Sequence, residues 1–455
     1  MSEILIKNID TLVTEVGENP RHDVDLYISG NRIEAIGDEI DEARDPDRTI
    51  DGSDTLFMPG LVNTHHHFYQ TRNRNIPAVQ NAKLFDWLTY LYEIWKYLTP
   101  EMARVSAQVA ASELIMSGCT TAVDHFYVFP NKHQEGIMEA EIEAVEEIGM
   151  RFHPTRGSMS LSKEDGGLPP DSVVQNEDTI LNHTRDVIEE YHQPEKFGMT
   201  RIIVAPCSPF SVTDSIMKES KKLGENYENM IFQTHLAETI DEEEFCLEET
   251  GMRPFDYLES LGWMDEKCLH VHSIHLNQDE VRRMGKAGAA ISHCPSSNMR
   301  LGSGMAPVVE MLEAGVKVSL GVDGSASNDS SHMFAEARQA LLLQRINYDE
   351  ESITARDVLR AATVGGARAI GRDDIGKIEK GMAADVIGVR LDKIDYAGAL
   401  HDPLAATVFC HPPKVDWSII NGEIKVDNGK FLPLDLRKLS ARQNQLAREQ
   451  IENIS

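Results

Sequence analysis

Basic charge is scarce in this chain, and the scarcity removes whole classes of partner. Against 74 Asp and Glu there are only 44 Lys and Arg, a formal net charge of −30 over 455 residues. Nucleic acids and anionic membranes both demand a basic face to neutralise phosphate, so neither is expected as a partner. Long apolar runs are also missing: none approaches the ~18 residues that a membrane-spanning helix requires. The opening stretch, Met1 to Lys7, lacks the basic segment and apolar core of a secretory signal. Cysteines are few and scattered singly, at Cys119, Cys207, Cys246, Cys268, Cys294 and Cys410, with no C-x-x-C pair. That pattern excludes a disulfide frame or a zinc ribbon and fits reduced thiols in a cytoplasm.

What is present is an ordinary globular composition, 41% hydrophobic and 26% charged. The length is that of one large domain with a smaller companion. Short alternating segments occupy the N-terminal part. They include Ile4 to Lys7 and a hairpin pattern through Asp25 to Ile36 with Ser29-Gly30-Asn31-Arg32 at its turn. Similar signals return at Ala383 to Val389 and in a second hairpin, Trp417 to Val426, with Asn421-Gly422 at the tip. This reads as a β-sandwich assembled from both termini, residues 1–57 and 375–432, followed by a helical segment over 433–455.

The middle, residues 58–374, alternates eight short β-like runs with helical patterns such as Pro100–Ser117, Met138–Ile148 and Gln278–Ala287. The runs are Met58–His65, Cys119–His125, Phe152–Arg156, Ile202–Cys207, Ile231–Glu238, Cys268–His275, Ala290–Cys294 and Val316–Asp323. Eight such units predict an α/β fold of the (β/α)₈ TIM-barrel type, whose active site lies at the C-terminal ends of the strands. Each of these runs ends in a polar residue capable of chemistry. A doubly wound sheet is the rival, but the first run leads into Thr64-His65-His66-His67 rather than a Gly-rich phosphate turn.

In extended chain, residues two apart point the same way, so His65 and His67 can share one ion while His66 turns away. The alternative is three polar residues on a loop. His235, His272 and Asp323, each at the end of a candidate strand, tip the balance toward a metal centre. Three imidazoles and a carboxylate suit Zn²⁺ or Fe²⁺ with a position left open for water. The ligands expected are His65, His67, His235 and Asp323.

Pro59 to His67, His235-Leu236-Ala237-Glu238 and Gly321-Val322-Asp323-Gly324 resemble the amidohydrolase superfamily, in particular its cytosine/guanine deaminase and triazine hydrolase branch. Gly376 to Asp385 resembles the segment in which such chains re-enter their sheet domain. The resemblance implies a cytoplasmic, metal-dependent hydrolase with the ligand set above. It also implies Glu238 as the proton shuttle, and His272 as the histidine that orients or polarises the attacking water. His270, His272 and His275 compete for that position, and His272 is preferred. Binuclear relatives carry a bridging lysine on strand four; Arg201 to Cys207 has none, which implies a single divalent ion, zinc before iron. The resemblance further implies assembly into homo-oligomers. The unrelated zinc deaminases with H-x-E and P-C-x-x-C are excluded, because P-C-x-x-C is absent. His125 and His293 are read as supporting residues.

Further strings, His67 to Thr71, Arg156 to Leu161, Ala205 to Phe210, Cys294 to Leu301 and Asp323 to Asp329, are similar to one group within that branch, the bacterial 8-oxoguanine deaminases. That implies conversion of 8-oxoguanine and water to urate and ammonia, a step in purine metabolism. A flat purine calls for a bidentate amide and a stacking surface. Gln70 is the candidate amide, against a purely loop-supporting role. Trp87 is either an aromatic lid or helix core. Arg156 addresses a ring carbonyl or anchors a loop. Cys207 and Ser208 end strand four and stand beside the site. The competing readings are an aminohydrolase of another heterocycle (triazine, pterin, guanine or isoguanine) and a barrel serving only as a scaffold. The scaffold should lack a ligand, and none is missing.

Overall fold

The computed structural model describes residues 3–37, 40, 45–132 and 135–452. The expected helix over 433–455 is observed as Leu436–Glu452, its last expected residues lying outside the described ones.

Eight strands form one parallel sheet in consecutive chain order: Leu61–Asn63, Cys119–Phe126, Arg151–Ser158, Ile203–Pro206, Phe232–Leu236, Cys268–His272, Ala290–His293 and Lys317–Leu320. The last returns to the first. The Thr64 amide and hydroxyl each donate to the Leu320 carbonyl at 3.0 Å, and the Asp323 amide donates to the His65 carbonyl at 3.1 Å. These bonds bring the chemistry-bearing ends of strands one and eight side by side. Helices over Pro100–Met116, Ile137–Ile148 and Gln278–Ala287 match the predicted patterns within a residue or two. Asn277 and Glu280 close a reciprocal capping box at the start of the third.

The expected first strand, Met58–His65, is in fact two. Thr55–Pro59 pairs antiparallel with Val386–Arg390 in the sandwich, whereas Leu61–Asn63 pairs parallel with strand two of the barrel. Gly60 sits at the crossing, where a β-carbon would lie 2.1 Å from Thr120 Oγ1. Only glycine allows that approach.

The termini build two further sheets. Glu3–Ile9, Val24–Ser29, Arg32–Ile36 and Arg48–Asp51 form one; Thr11–Leu12, Thr55–Pro59, Val386–Arg390, Trp417–Ile420, Glu423–Asp427 and Lys430–Phe431 form the other. Between them lies an apolar core that includes Ile6, Leu26, Ile28, Phe57, Val386, Trp417 and Ile419. At the second hairpin tip Asn421 and Gly422 both have positive φ (51° and 79°), as a two-residue turn of the I′ type requires. Sandwich and barrel are tied by a fully buried pair: Arg151 Nε and Nη2 donate to Asp385 at 2.8 and 3.1 Å. No helix among the described residues is long and apolar enough to cross a membrane.

Candidate active site

The polar residues at the C-terminal ends of strands one, five, six and eight converge on one point. Asp323 Oδ1 lies 3.4 Å from both His65 Nε2 and His67 Nε2. The His235 ring is centred 4.9 Å from that of His65, and the His272 ring 5.5 Å from that of His235. Three of the residues that turn the chain here, Ala237 (φ 50°), His272 (φ 68°) and Asp323 (φ 63°), hold left-handed backbone without being glycine. Such strain persists only where the surrounding structure imposes it, and it aims these side chains inward.

The imidazoles are oriented by their other nitrogens. His67 Nδ1 meets the His125 carbonyl at 2.7 Å, and His235 Nδ1 meets the Cys207 carbonyl at 2.7 Å. A carbonyl only accepts, so both rings carry their proton on Nδ1 and present a bare Nε2, the arrangement a metal ion requires. Burial, followed by the neighbouring imidazoles, holds His235 well below its usual range; burial likewise holds His67 down at about 3. Both stay neutral and able to ligate. His65 Nε2 is buried with no hydrogen-bond partner. Two sets of donor atoms lie within 4.8 Å of one another, His65–His125–His235 and His65–His272–Asp323. The donor set fits a divalent ion. His66 turns away, as alternation predicts, toward Ser331 Oγ at 2.9 Å.

Glu238 stands beside this cluster, its Oε2 3.5 Å from His272 Nε2. Burial, then the negative charges of Asp323 and Glu242, pushes its carboxyl well above the usual range, so the group holds a proton readily. Glu242 fixes the turn by accepting from the Ala237 and Glu238 amides at 2.8 Å each. His272 is set by Asn298, whose Oδ1 lies 2.9 Å from Nδ1. His270 is buried with neither nitrogen paired, and His275 is tied to the Ser303 carbonyl.

Above the cluster opens a cleft. Its wall includes His67, His235, Glu238, His272 and Asp323, together with Gln70, Trp87, Tyr127, Cys207, Ser208 and Phe210. The Gln70 Oε1 faces the Ala326 amide at 3.4 Å, while its Nε2 is buried and unpartnered. Trp87 is 3% exposed, packed in the core, and its ring also lines the cleft. Arg156 requires a correction. It is not among the residues that line the cleft, and its side chain is engaged beside the helix Glu177–Tyr191 instead. There its guanidinium donates to Gln175 Oε1 at 2.8 Å and His183 Nδ1 at 3.1 Å, and covers the Phe129 ring.

Sequence reasoning missed Gln233, Asn298 and Ser327, and it placed His125 outside the centre. Gln233 carried a usable signal, since it precedes His235 by two residues and shares its face of the strand. Ser327 donates to Asp323 Oδ2 at 3.3 Å and accepts from Ser297 at 2.9 Å.

A near-closed parallel barrel with histidines and an aspartate gathered on its rim is the architecture of the amidohydrolases. The family model for the amidohydrolase family matches residues 56–425, and the chain belongs to that family. It is 47% identical to the 8-oxoguanine deaminase of Pseudomonas aeruginosa over 91% of each chain. It is 32% identical to the hydroxydechloroatrazine ethylaminohydrolase of Pseudomonas sp. strain ADP, over 97% of this chain and 94% of that one. The crystal structure of an atrazine chlorohydrolase from Arthrobacter aurescens TC1 complexed with zinc superposes with a TM-score of 0.93 at 32% identity, covering 98% of this chain and all of that one.

Proposed function

We propose that this enzyme is a zinc-dependent cytoplasmic deaminase that converts 8-oxoguanine and water to urate and ammonia. The observation that carries the reading is the placing of Glu238 and His272 against the His65–Asp323 cluster, where both line one cleft. The 47% identity to an 8-oxoguanine deaminase supports the choice of base. His65, His67, His235 and Asp323 would hold a single divalent ion, zinc before iron. When bound, such an ion would polarise water and lower its pKa to about 7.

The chain's own groups do the rest. Asp323, its outer oxygen held by Ser327, accepts a proton from the attacking water. His272, fixed by Asn298, orients that water toward the carbon bearing the exocyclic amine. Glu238 delivers its proton to the neighbouring ring nitrogen, removing charge from the tetrahedral adduct; Asp323 passes the proton taken from water to the departing amine as ammonia, and the adduct's remaining hydroxyl proton returns to Glu238 as the new carbonyl forms. The free Nε2 of Gln70 donates to a ring carbonyl, and Trp87 gives the ring an apolar wall. A neutral small base needs no basic surface, which agrees with the acidic net charge.

The test is kcat/KM for 8-oxoguanine against guanine, isoguanine, cytosine, isoxanthopterin and aminotriazines. The largest value is expected for 8-oxoguanine. A larger one for any competitor, the triazines included, overturns the substrate while leaving the chemistry intact.

A further inference from the structure

The ring of His125, next to the end of strand two, takes none of the roles above, yet it lies among the imidazoles of the centre: 4.8 Å from His235 and 5.5 Å from His65, centre to centre. Its protonation pattern follows from one neighbour. Gln233 Nε2 donates to the Thr64 carbonyl at 3.0 Å. A carbonyl cannot donate, so the carboxamide has one orientation, and its Oε1 faces both His125 Nδ1 at 2.9 Å and His65 Nδ1 at 3.2 Å. An amide oxygen accepts only, so both rings carry their proton on Nδ1. The Nε2 atoms of both therefore present lone pairs, and both are buried without a hydrogen-bond partner.

We propose that His125 is an imidazole donor of the metal centre, and that Gln233 is the positioning residue that sets His65 and His125 for the ion together. His65, His125 and His235 offer donor atoms all within 4.8 Å of one another, so His125 adds a ligand from strand two to those from strands one, five and eight. Both Nε2 atoms are buried without a partner inside this imidazole cluster, and a divalent cation is an electron acceptor that such a cluster suits. The proposal rests on the metal-dependent reading above.

The experiment strips the protein with chelator, then measures zinc affinity by competition and the visible spectrum of the cobalt(II) form. Wild type, His125→Phe, His125→Gln and Gln233→Leu are compared, with melting curves to confirm folding. Outer partners of ligating histidines typically contribute 10–100-fold in affinity, so Gln233→Leu is expected to weaken zinc binding by about that factor. Both His125 variants are expected to weaken zinc at least about as much and, unlike an outer partner, to change the cobalt absorption envelope. A wild-type cobalt spectrum in a folded His125 variant overturns the proposal while the metal reading stands. Failure of the wild-type protein to take up either metal overturns both.

Discussion

Replacing Glu238 by glutamine isolates proton transfer from everything else the site does. The amide has the carboxyl's shape, so the cleft and the 3.5 Å approach to His272 Nε2 should persist, but the side chain can no longer pass a proton. A positioned general acid or base typically contributes ~10²–10⁴-fold, equivalent to about 3–5 kcal/mol of barrier. Ammonia release followed by a coupled assay should fall by that factor, with metal content unchanged, because Glu238 is not among the proposed ligands. Stability of the metal-free protein supplies an independent check. The Glu238 carboxyl is raised in the fold by burial, and by Asp323 and Glu242. The folded state therefore binds its proton more tightly than the unfolded chain does. That contribution is complete below the ordinary glutamate range near 4.5 and is lost as pH rises through the elevated folded value. Glutamine removes this part of the pH dependence, so the metal-free variant should lose less stability than wild type between weakly acidic and neutral pH. Wild-type turnover by Glu238→Gln would refute the shuttle. Identical stability–pH curves would refute the electrostatic account.

Gln70→Leu removes the free amide donor and should lower kcat/KM for 8-oxoguanine about 10–100-fold, the scale of one buried hydrogen bond left unmade. The loss should appear mainly as a higher KM, and an unchanged KM would remove Gln70 from substrate binding. Metal removal by a chelator should abolish ammonia release, and added zinc should restore it. Persistent activity in verified metal-free protein would contradict the mechanism. Asp385→Asn strands a buried guanidinium between sandwich and barrel and should cost about 3–5 kcal/mol in denaturant unfolding. The folded fraction should keep its kcat/KM, since Arg151 and Asp385 lie away from the cleft; a selective loss of turnover would contradict that separation.

Much of the barrel was legible because its information is local. Each strand is a short apolar run ending in a polar residue, and the eight recur at intervals that leave room for a helix. The Asn421-Gly422 tip was legible because its backbone needs two positive φ angles that few residue pairs tolerate. The break at Gly60 was not, since Met58 through His65 is continuously strand-like. The reason for the break, the nearness of Thr120, lies about sixty positions along the chain. Of the two roles open to Arg156, a ring carbonyl or a loop anchor, the structure fits the anchor, and the sequence did not decide between them for a similar reason. Strand alternation assigns two faces, but which face meets the cleft and which meets the helix Glu177–Tyr191 depends on how the strand is packed.

The sequence by itself determined the chemical inventory. The i, i+2 spacing aligns His65 with His67, the strand ends carry His235, His272 and Asp323, and the absence of a Gly-rich turn removes the dinucleotide folds. Barrel closure decided how that inventory is used. It set Asp323 Oδ1 at 3.4 Å from two imidazoles, brought Gln233 under both His65 and His125, and gave Asn298 to His272. Burial follows from the same closure, and it shifts the His235 imidazole below its ordinary range and the Glu238 carboxyl above its own. Residue type and spacing are written along the chain. Distance, tautomer and desolvation arise only when segments far apart in sequence pack into one low-dielectric space.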